Sequence, residues 1–350
     1  MCEAPTVSRE VFGPPVSVII PTYNREKLVS RAIDSALKAI SPGDEIIVVD
    51  DGSTDGTKTV LAGYGGSIRC VPAPHKGAGA ARNAGIRAAS HGRICFLDSD
   101  DEWKPDHLEL HRRFHANSDC ILSFSNFDIF RDNRPELGLE RMALVKWTKD
   151  FRSWDEIFGG GVPYTRLAEL PPGREDFMVH AGNLYPLLLK RLYVSTFTSF
   201  VRLDSMKDRL LFREDLPTLE DYDFFVRLSK IGKAAYLDCS TVINHGHEGP
   251  RLTVMDDLTL SETLRNIIET TYGADPEFLQ EHREDYTVRR NDLRKWLVKQ
   301  LILQGDTRRA REEIRDIREV PFSVRAMCLL PGFVARGLSA AYRGIRKGTA

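Results

Sequence analysis

Short apolar runs alternate with helix-like segments over the first hundred residues of the chain. Residues 25–40 repeat apolar side chains at the spacing of one helix face, and residues 79–90 form a second helical segment rich in small residues. The runs between such segments are short and rich in β-branched residues, which predicts buried strands: VSVIIP (16–21), EIIVVD (45–50), SIRCV (67–71) and RICFL (93–97). Strands joined by helices predict an α/β fold with a mostly parallel sheet flanked by helices.

The second half of the chain is less regular. Residues 131–180 contain four prolines and the triplet GGG, which predicts a loop-rich insertion or lid. Ordered elements are predicted on either side of it: strands at 120–130, 195–203 and 233–238, and a helix at 220–232. From about residue 256 the chain is helical and charged in character. The predicted organisation is therefore an N-terminal tail (1–14), an α/β domain (15–255) and a helical C-terminal region (256–350).

Composition narrows the class of protein. The chain has 350 residues, is 42% hydrophobic and 28% charged, and carries a formal net charge of -1, so no overall field favours nucleic acid. Six scattered cysteines lack metal-binding spacing; Cys70 and Cys95 lie in strand-like runs and are predicted to be buried free thiols. The first residues contain no apolar signal segment, and no apolar run reaches the roughly 18 residues of a spanning helix. We therefore expect a cytoplasmic protein that is soluble or peripheral on a membrane.

Polar clusters follow three of the predicted strands, as TYN, DDGS and DSDD. Because the carboxyl ends of parallel strands meet at one edge of a sheet, these clusters predict a single site. Asp98 and Asp100 of DSDD offer carboxylate oxygens to a hard cation such as Mg²⁺ or Mn²⁺, although the same residues also form ordinary turns. Asp50, at the end of its strand, could accept the ring N–H of uracil or guanine, while the residues after it cap the next helix.

Two further motifs carry candidate chemistry, and each has a structural alternative. In HKGAGAARNAG, Lys76 could face a phosphate and Arg82 could clamp a diphosphate or orient Asp50; the small residues would in any case allow close packing of helix on sheet. The third glycine of a dinucleotide fingerprint is absent, which disfavours an NAD site. In EDYDFFVRL, Glu220 and Asp221 begin a helix, where Asp221 could act as a general base or both could serve as caps.

The remaining polar positions in this part of the chain are of two kinds. Asp223 and Arg227 are four residues apart, the spacing of a structural ion pair on a helix. In NHGHEG, a neutral imidazole from His245 or His247 could complete a metal shell, or either ring could be structural.

Together and in this order, the motifs resemble those of the family-2 glycosyltransferases, inverting enzymes of the GT-A fold. The resemblance runs from VSVIIPTYNR through VVDDGSTDGT, GAARNAG and FLDSDDEW to LEDYDFFVRL and HGHEG, over roughly residues 15–255. It implies a Rossmann-like sheet in a GT-A catalytic domain, with a nucleotide-binding half at about 15–130 and an acceptor half at about 131–255.

The resemblance also implies roles for individual residues. Asp221 is the catalytic base, and His247 matches a position that often contacts the metal or diphosphate. Asp98 lies near the ribose or the metal, and Asp100 is the main ligand of a divalent ion, Mn²⁺ or Mg²⁺. The nucleotide-sugar donor, linked to UDP, GDP or dTDP, is expected to contact the following residues: Pro21, Thr22, Tyr23, Asn24, Asp50, Lys76, Arg82, Asp98 and Glu220.

Further expectations concern the acceptor and the C-terminal tail. A saccharide or lipid-linked saccharide acceptor is expected, in cell-surface polysaccharide or glycolipid assembly. Residues 321–350 contain five basic residues and no acidic one, which predicts either an interfacial anchor on anionic lipid or a helix packed on the protein with a basic outer face. Two other functions stay open at this stage, a nucleotidyltransferase that makes the sugar nucleotide and a non-catalytic sugar-nucleotide or saccharide-binding protein.

Overall fold

The fold was determined from a computed structural model, which describes residues 13–131, 140–142, 153–206, 210–246, 256–315, 317 and 320–338. It divides into two compact units. One contains the chain up to residue 215 together with residues 220–249; the other contains residues 216–219 and the chain from residue 250 onward. The first is an α/β unit and the second is helical.

The α/β unit begins with strands and helices in alternation. Its first ten elements are β1 (Ser17–Thr22), α1 (Val29–Ala39), β2 (Glu45–Asp50), α2 (Thr57–Ala62), β3 (Arg69–Pro72), α3 (Ala78–Ala88), β4 (Arg93–Phe96), β5 (Glu102–Trp103), α4 (His107–Ala116) and β6 (Leu122–Arg131). The others are β7 (Glu140–Met142), α5 (Trp154–Phe158), β8 (Val162–Pro163), β9 (Met178–Gly182), α6 (Tyr185–Leu188), β10 (Ser199–Arg202), α7 (Glu220–Ile231) and β11 (Ala234–Gly246).

The described strands form one mixed sheet in the order β3-β2-β1-β4-β10-β6-β11-β9-β8, with β5 paired to β11 and β7 to β6. Strands β1 to β4 are parallel, as predicted, and β6 is parallel to β11. The central strand β10 runs antiparallel to both of its neighbours, so two parallel groups meet through it. The predicted α/β class with a sheet flanked by helices is confirmed.

Helix α3 packs very closely on the sheet, and its small residues explain why. A Cβ atom on Gly85 would lie 2.4 Å from Cγ2 of Ile19 in β1, so only glycine fits at this contact. Ile19 and its neighbours Val18 and Ile20 are fully buried, as expected for a strand covered on both faces. The close-packing reading of the GAARNAG motif therefore holds, whatever else the motif does.

Three predictions for the α/β unit need correction. The last strand is longer than 233–238, because β11 lies between β6 and β9 and continues to Gly246 through two register shifts. Within 195–203, only Ser199–Arg202 is a strand, and a 3₁₀ turn precedes it. Cys70 is exposed, since β3 pairs only with β2 at the end of the sheet, whereas Cys95 is buried as predicted.

The second unit is built from helices around an apolar cluster. Its helices are α8 (Asp257–Ile267), which continues as a π-helical turn (Ile268–Tyr272), α9 (Pro276–Gln304), α10 (Thr307–Glu313) and α11 (Phe322–Leu329), followed by a helical stretch at 332–338. Leu297, Leu301 and Ala310 lie in the cluster and are fully buried. In the part of the chain that the structure describes, no helix is long and apolar enough to cross a bilayer.

Candidate active site

The loops after β1 and β2 are tied together by the side chain of Asn24. Its side-chain oxygen accepts a hydrogen bond from the backbone N–H of Thr54 at 2.8 Å, and the backbone N–H of Asn24 donates to Oγ of Ser53 at 2.9 Å. Asn24 adopts φ 51°, a left-handed conformation that asparagine tolerates better than most residues. Asn24, predicted to contact the donor, therefore has a clear structural role in shaping the edge of the sheet.

The ends of β1 and β2 place Thr22 directly beside Asp50 in the parallel ladder. Both are buried, and so is Pro21, which precedes Thr22. One carboxylate oxygen of Asp50 accepts the N–H of Ser53 at 2.9 Å, which is the predicted turn chemistry. The hydroxyl of Thr22 is buried and has no hydrogen-bond partner among the described residues. A buried polar atom without a partner is costly, so this end of the sheet suits a ligand that supplies one.

Asp51, the second aspartate of the DDGS cluster, organises the loop before α3. Its two carboxylate oxygens accept the backbone N–H groups of Lys76 at 2.9 Å and Gly77 at 2.8 Å. These two backbone N–H groups are therefore not free to bind a phosphate. The Lys76 side chain itself is exposed.

An aromatic pair lies at the same edge. The rings of Tyr23 and His75 stack with centroids 3.9 Å apart and an interplanar angle of 23°. Nδ1 of His75 lies 3.0 Å from the carbonyl oxygen of Asp51, which fixes the imidazole, and Tyr23 remains 37% exposed. Nothing local in the sequence singles out His75, because its ring reaches Tyr23 only through the fold, from a loop about fifty residues away.

Arg82 links the two acidic motifs. Its guanidinium donates to Oδ1 of Asp98 at 2.9 Å and to Oε1 of Glu220 at 3.0 Å, and its side chain is only 7% exposed. The ring of Phe212 lies beneath it, 5.5 Å from the guanidinium carbon. Arg82 does not contact Asp50, so the proposed orienting role toward Asp50 is replaced by this bridge.

Asp221 follows Glu220 in the first turn of α7 and is partly buried. Burial raises its pKa to about 6, helped by the negative charge of Glu220, while Arg82 acts in the opposite direction. Asp98 has a raised pKa as well, chiefly through burial and against the effect of Arg82. The cluster thus holds a carboxylate whose proton affinity is close to that needed by a general base near neutral pH.

The segment that leads to α7 is fixed by the residue next to Arg82. The side chain of Asn83 donates to the carbonyl oxygen of Phe212 at 2.9 Å and accepts the N–H of Phe212 at 2.8 Å. Phe212 also stacks on Phe224 of α7, with centroids 4.2 Å apart and nearly parallel rings. Adjacent residues of α3 therefore hold both the carboxylates and the approach to α7. Asp223 and Arg227 form the predicted structural pair, with Nε to Oδ2 at 2.8 Å.

The third aspartate of DSDD has a separate role. Asp101 is buried and accepts hydrogen bonds from Nδ2 of Asn244 at 2.9 Å and from the N–H of His245 at 3.2 Å. Nε2 of His245 lies 3.0 Å from a carboxylate oxygen of Glu102. These bonds join the loop between β4 and β5 (residues 97–101, the acidic loop) to the end of β11, where His245 contacts Glu102. His247, the predicted metal contact, lies outside the described residues.

The acidic loop can supply only part of the ligand shell of a divalent cation, and the substrate, with water, must supply the rest. Among the described residues, no group of three or more His, Cys, Asp or Glu side chains is arranged to hold a metal ion. Asp98 and Asp100 lie just beyond β4, two residues apart, and both are partly exposed. Mg²⁺ and Mn²⁺ favour such oxygen ligands and commonly complete their shell with water and substrate phosphates. The available side chains therefore suit an ion that arrives with a diphosphate.

Residues 17–168 match the family described as glycosyl transferase family 2. One curated relative is the Escherichia coli UDP-Glc:alpha-D-GlcNAc-diphosphoundecaprenol beta-1,3-glucosyltransferase WfgD, 35% identical over 120 residues, which are 34% of this chain and 47% of WfgD. The chain spans about half the length of the curated relatives it matches first, between 44% and 51%.

Two solved structures share the fold over nearly the whole chain. Staphylococcus aureus TarS 1-349 in complex with UDP-GlcNAc has a TM-score of 0.54 at 17% identity, covering 95% of this chain and 92% of that one. The mannosyltransferase PcManGT from Pyrobaculum calidifontis, in complex with GDP-Man and Mn²⁺, has a TM-score of 0.50 at 15% identity, covering 94% and 85%. At these identities the likeness concerns the fold.

Proposed function

This protein belongs to glycosyl transferase family 2 through residues 17–168, and from that premise we propose that it is a metal-dependent, inverting glycosyltransferase. It moves a sugar, a hexose or a related one, from a nucleotide-diphosphate donor to a hydroxyl group of a saccharide or lipid-linked saccharide. The observation that carries the proposal is the cluster in which Arg82 bridges Asp98 and Glu220 beside Asp221. The cluster joins a strand-end acidic motif to a candidate base from the other half of the unit.

The nucleotide is assigned to the edge formed by β1 and β2. Asp50 accepts the ring N–H of the base, and Thr22 supplies the hydroxyl that has no described protein partner. Tyr23, stacked on His75, offers an aromatic surface to the base. A ring N–H is present in uracil, guanine and thymine, so UDP, GDP and dTDP are all compatible with Asp50.

The diphosphate is assigned to the acidic loop. Asp98 and Asp100 would hold a divalent ion, Mn²⁺ or Mg²⁺, which neutralises the negative charge that builds on the departing diphosphate. PcManGT, which shares the fold, carries Mn²⁺ together with GDP-Man. Lys76, whose backbone is bound by Asp51 and whose side chain is exposed, could add a positive charge to the phosphates. His247 remains a candidate ligand from the sequence.

Asp221 is assigned as the base that removes the proton of the acceptor hydroxyl. With a pKa of about 6 it is mostly ionised at pH 7 and still basic enough to accept a proton as the new bond forms. Glu220 keeps its charge partner in Arg82, which holds the start of α7 against the donor side of the site. Attack by the hydroxyl opposite the leaving diphosphate inverts the configuration of the anomeric carbon.

The acceptor side is assigned to residues 131–255, and the enzyme to the cytoplasmic face of the cell membrane in surface polysaccharide or glycolipid assembly. WfgD is described as acting on a saccharide linked to diphosphoundecaprenol, which supports a lipid-linked acceptor here. A membrane position is consistent with the basic C-terminal residues.

The donor assignment is tested by calorimetric titration of UDP-, GDP- and dTDP-sugars, with Mn²⁺ and with a chelator. We expect Mn²⁺ to increase the affinity of the protein for one class of donor. Asp100→Asn should lose this effect of Mn²⁺ on donor affinity. The matched control is Asp34→Asn, which neutralises an aspartate of α1 that lies outside the cluster. Equal binding by Asp100→Asn and the parent protein at every Mn²⁺ concentration would remove Asp100 from the metal site.

A further inference from the structure

The C-terminal helices of the second unit expose an unusual amount of apolar surface. Phe322, Phe333 and Leu329 are 85%, 73% and 72% exposed, more than any other large apolar side chain among the described residues, and Leu338 is 51% exposed. We call these four side chains the apolar face. Exposed aromatic and leucine side chains in one short stretch are uncommon on a protein surface that faces only water.

The opposite side of the same helices is firmly packed. Cys328 and Ala335 are fully buried and belong to the apolar cluster formed with α9 and α10. Gly332 lies against Gly305 at the end of α9 so closely that a Cβ atom would sit 2.0 Å from the Gly305 carbonyl oxygen. The stretch is therefore held by one side and presents the apolar face outward.

The basic residues beside the apolar face indicate which kind of partner can cover it. The last thirty residues contain five basic side chains and no acidic one, and the two in the described part, Arg325 and Arg336, are exposed on the same helices. A second copy of this chain would bring like charges together in a symmetric contact. An anionic bilayer matches both features, because its acyl region takes the apolar side chains and its headgroups take the arginines.

We propose that the apolar face, flanked by Arg325 and Arg336, is an interfacial surface that inserts into an anionic lipid bilayer. Phe322 and Leu329 are two helical turns apart and lie on one side of α11, so both can enter the headgroup region together. The inference builds on the membrane position in the proposed function and names the residues that would provide it. It does not depend on which sugar or nucleotide is used.

Vesicle co-sedimentation tests the surface directly. The full chain should bind mixed vesicles of phosphatidylglycerol and phosphatidylcholine, bind vesicles of phosphatidylcholine alone weakly, and dissociate from the mixed vesicles as salt rises. Replacing the four residues of the apolar face with serine should lower the affinity at least about tenfold. Replacing Arg325 and Arg336 with glutamine should lower it about fivefold for each arginine.

The matched control is the double variant Ile231→Ser, Val288→Ser, which removes two apolar side chains of 53% and 55% exposure elsewhere on the protein. It should bind vesicles as the parent protein does. Equal affinity of the four-serine variant and the parent, or equal binding to neutral and anionic vesicles, would overturn the proposal. A parent protein that dimerises through the apolar face and ignores vesicles would overturn it too.

Nucleotide release from the donor separates this proposal from the enzymatic one. The four-serine variant should release nucleotide in solution, with water or a soluble acceptor, at the parent rate. If neither protein turns over any donor but vesicle binding behaves as expected, the enzymatic assignment fails and the membrane surface stands.

Discussion

Arg82 and Glu220 are 138 residues apart in the chain and form an ion pair with a 3.0 Å N–O distance. The same guanidinium holds Asp98, so one buried cation joins the loop after β4 to the first residue of α7. Two carboxylates this close repel each other unless a positive charge lies between them. The bridge thus explains how the loop after β4 and the candidate base Asp221 come to lie in one cluster.

Replacing Arg82 with glutamine should affect both stability and catalysis. Asp98 and Glu220 would lose their shared partner, and we expect a loss of about 2 kcal/mol in the free energy of unfolding, measured by chemical denaturation. Because Arg82 lowers the pKa of Asp221, the acid limb of the activity profile should also move to higher pH. Arg87→Gln, on the exposed side of α3, should change neither. A destabilised Arg82 variant with an unmoved pH profile would mean that Arg82 acts only on the fold.

The rate of glycosyl transfer should depend on the ionisation of Asp221. Its pKa of about 6 predicts that kcat/KM is nearly constant above pH 7 and falls about tenfold per pH unit well below pH 6. The carboxylate is the active form, so activity is lost as the proton is added. A profile measured with saturating Mn²⁺ that stays flat down to pH 4.5 would exclude this base.

The folded-state pKa of Asp221 is higher than its ordinary value, which also gives a stability prediction. A raised carboxyl pKa means that ionisation costs folding free energy, and the cost is present at pH 7 and absent below about pH 4. Asp221→Asn should therefore be as stable as the parent protein or about 1–2 kcal/mol more stable at pH 7. A strongly destabilised Asp221→Asn would indicate a structural role in capping α7.

Tyr23 should contribute to donor affinity through stacking on the base. Tyr23→Ala removes the aromatic surface, and we expect the KM for the donor to rise about tenfold with a small change in kcat. Tyr64→Ala, which removes a half-exposed tyrosine after α2, is the matched control. An unchanged KM in Tyr23→Ala would place the base elsewhere.

A chain of buried histidines in α4 predicts loss of stability in acid. His107, His111 and His115 are buried, and burial lowers the pKa of all three, for His111 to about 3. The unfolded chain binds protons to these rings below about pH 6.5 and the native state does not, so stability falls as pH falls. Each ring should cost up to about 2 kcal/mol between pH 7 and pH 5.

The variant that isolates this effect is His111→Gln. Its free energy of unfolding should change less between pH 7 and pH 5 than that of the parent protein, whereas His91→Gln, outside the buried chain, should keep the parent slope. Identical slopes in all three proteins would show that carboxylates, and not the buried imidazoles, control acid unfolding.

Much of the fold was predictable, because the parallel half of the sheet is built from local signals. Buried apolar runs such as 16–21 and 45–50 end in polar clusters, and parallel strands bring those ends to one edge. The extent of β11 was not predictable from the sequence. Its polar residues around Ser240 form a strand only because β11 pairs with β6 along one side and with β5 and β9 along the other. Strand identity there is decided by tertiary contacts.

The sequence predicted which residues belong to the site better than it predicted the contacts between their side chains. Asp98, Glu220 and Asp221 stand out as polar groups at element ends, but nothing local pairs Arg82 with two of them across the fold. Asp51 directly follows Asp50, and the sequence does not distinguish their roles. The carboxylate of Asp51 binds the backbone of the loop at Lys76 and Gly77.

The most direct test of the whole account is a comparison of Asp221→Asn with the parent protein in sugar transfer at pH 7.5, with the preferred donor and Mn²⁺. We expect donor binding to persist while kcat falls by about 10²–10⁴-fold, the usual contribution of a general base. The transferred sugar should carry the inverted anomeric configuration. Transfer by Asp221→Asn at the parent rate would contradict the assignment of the base and with it the mechanism.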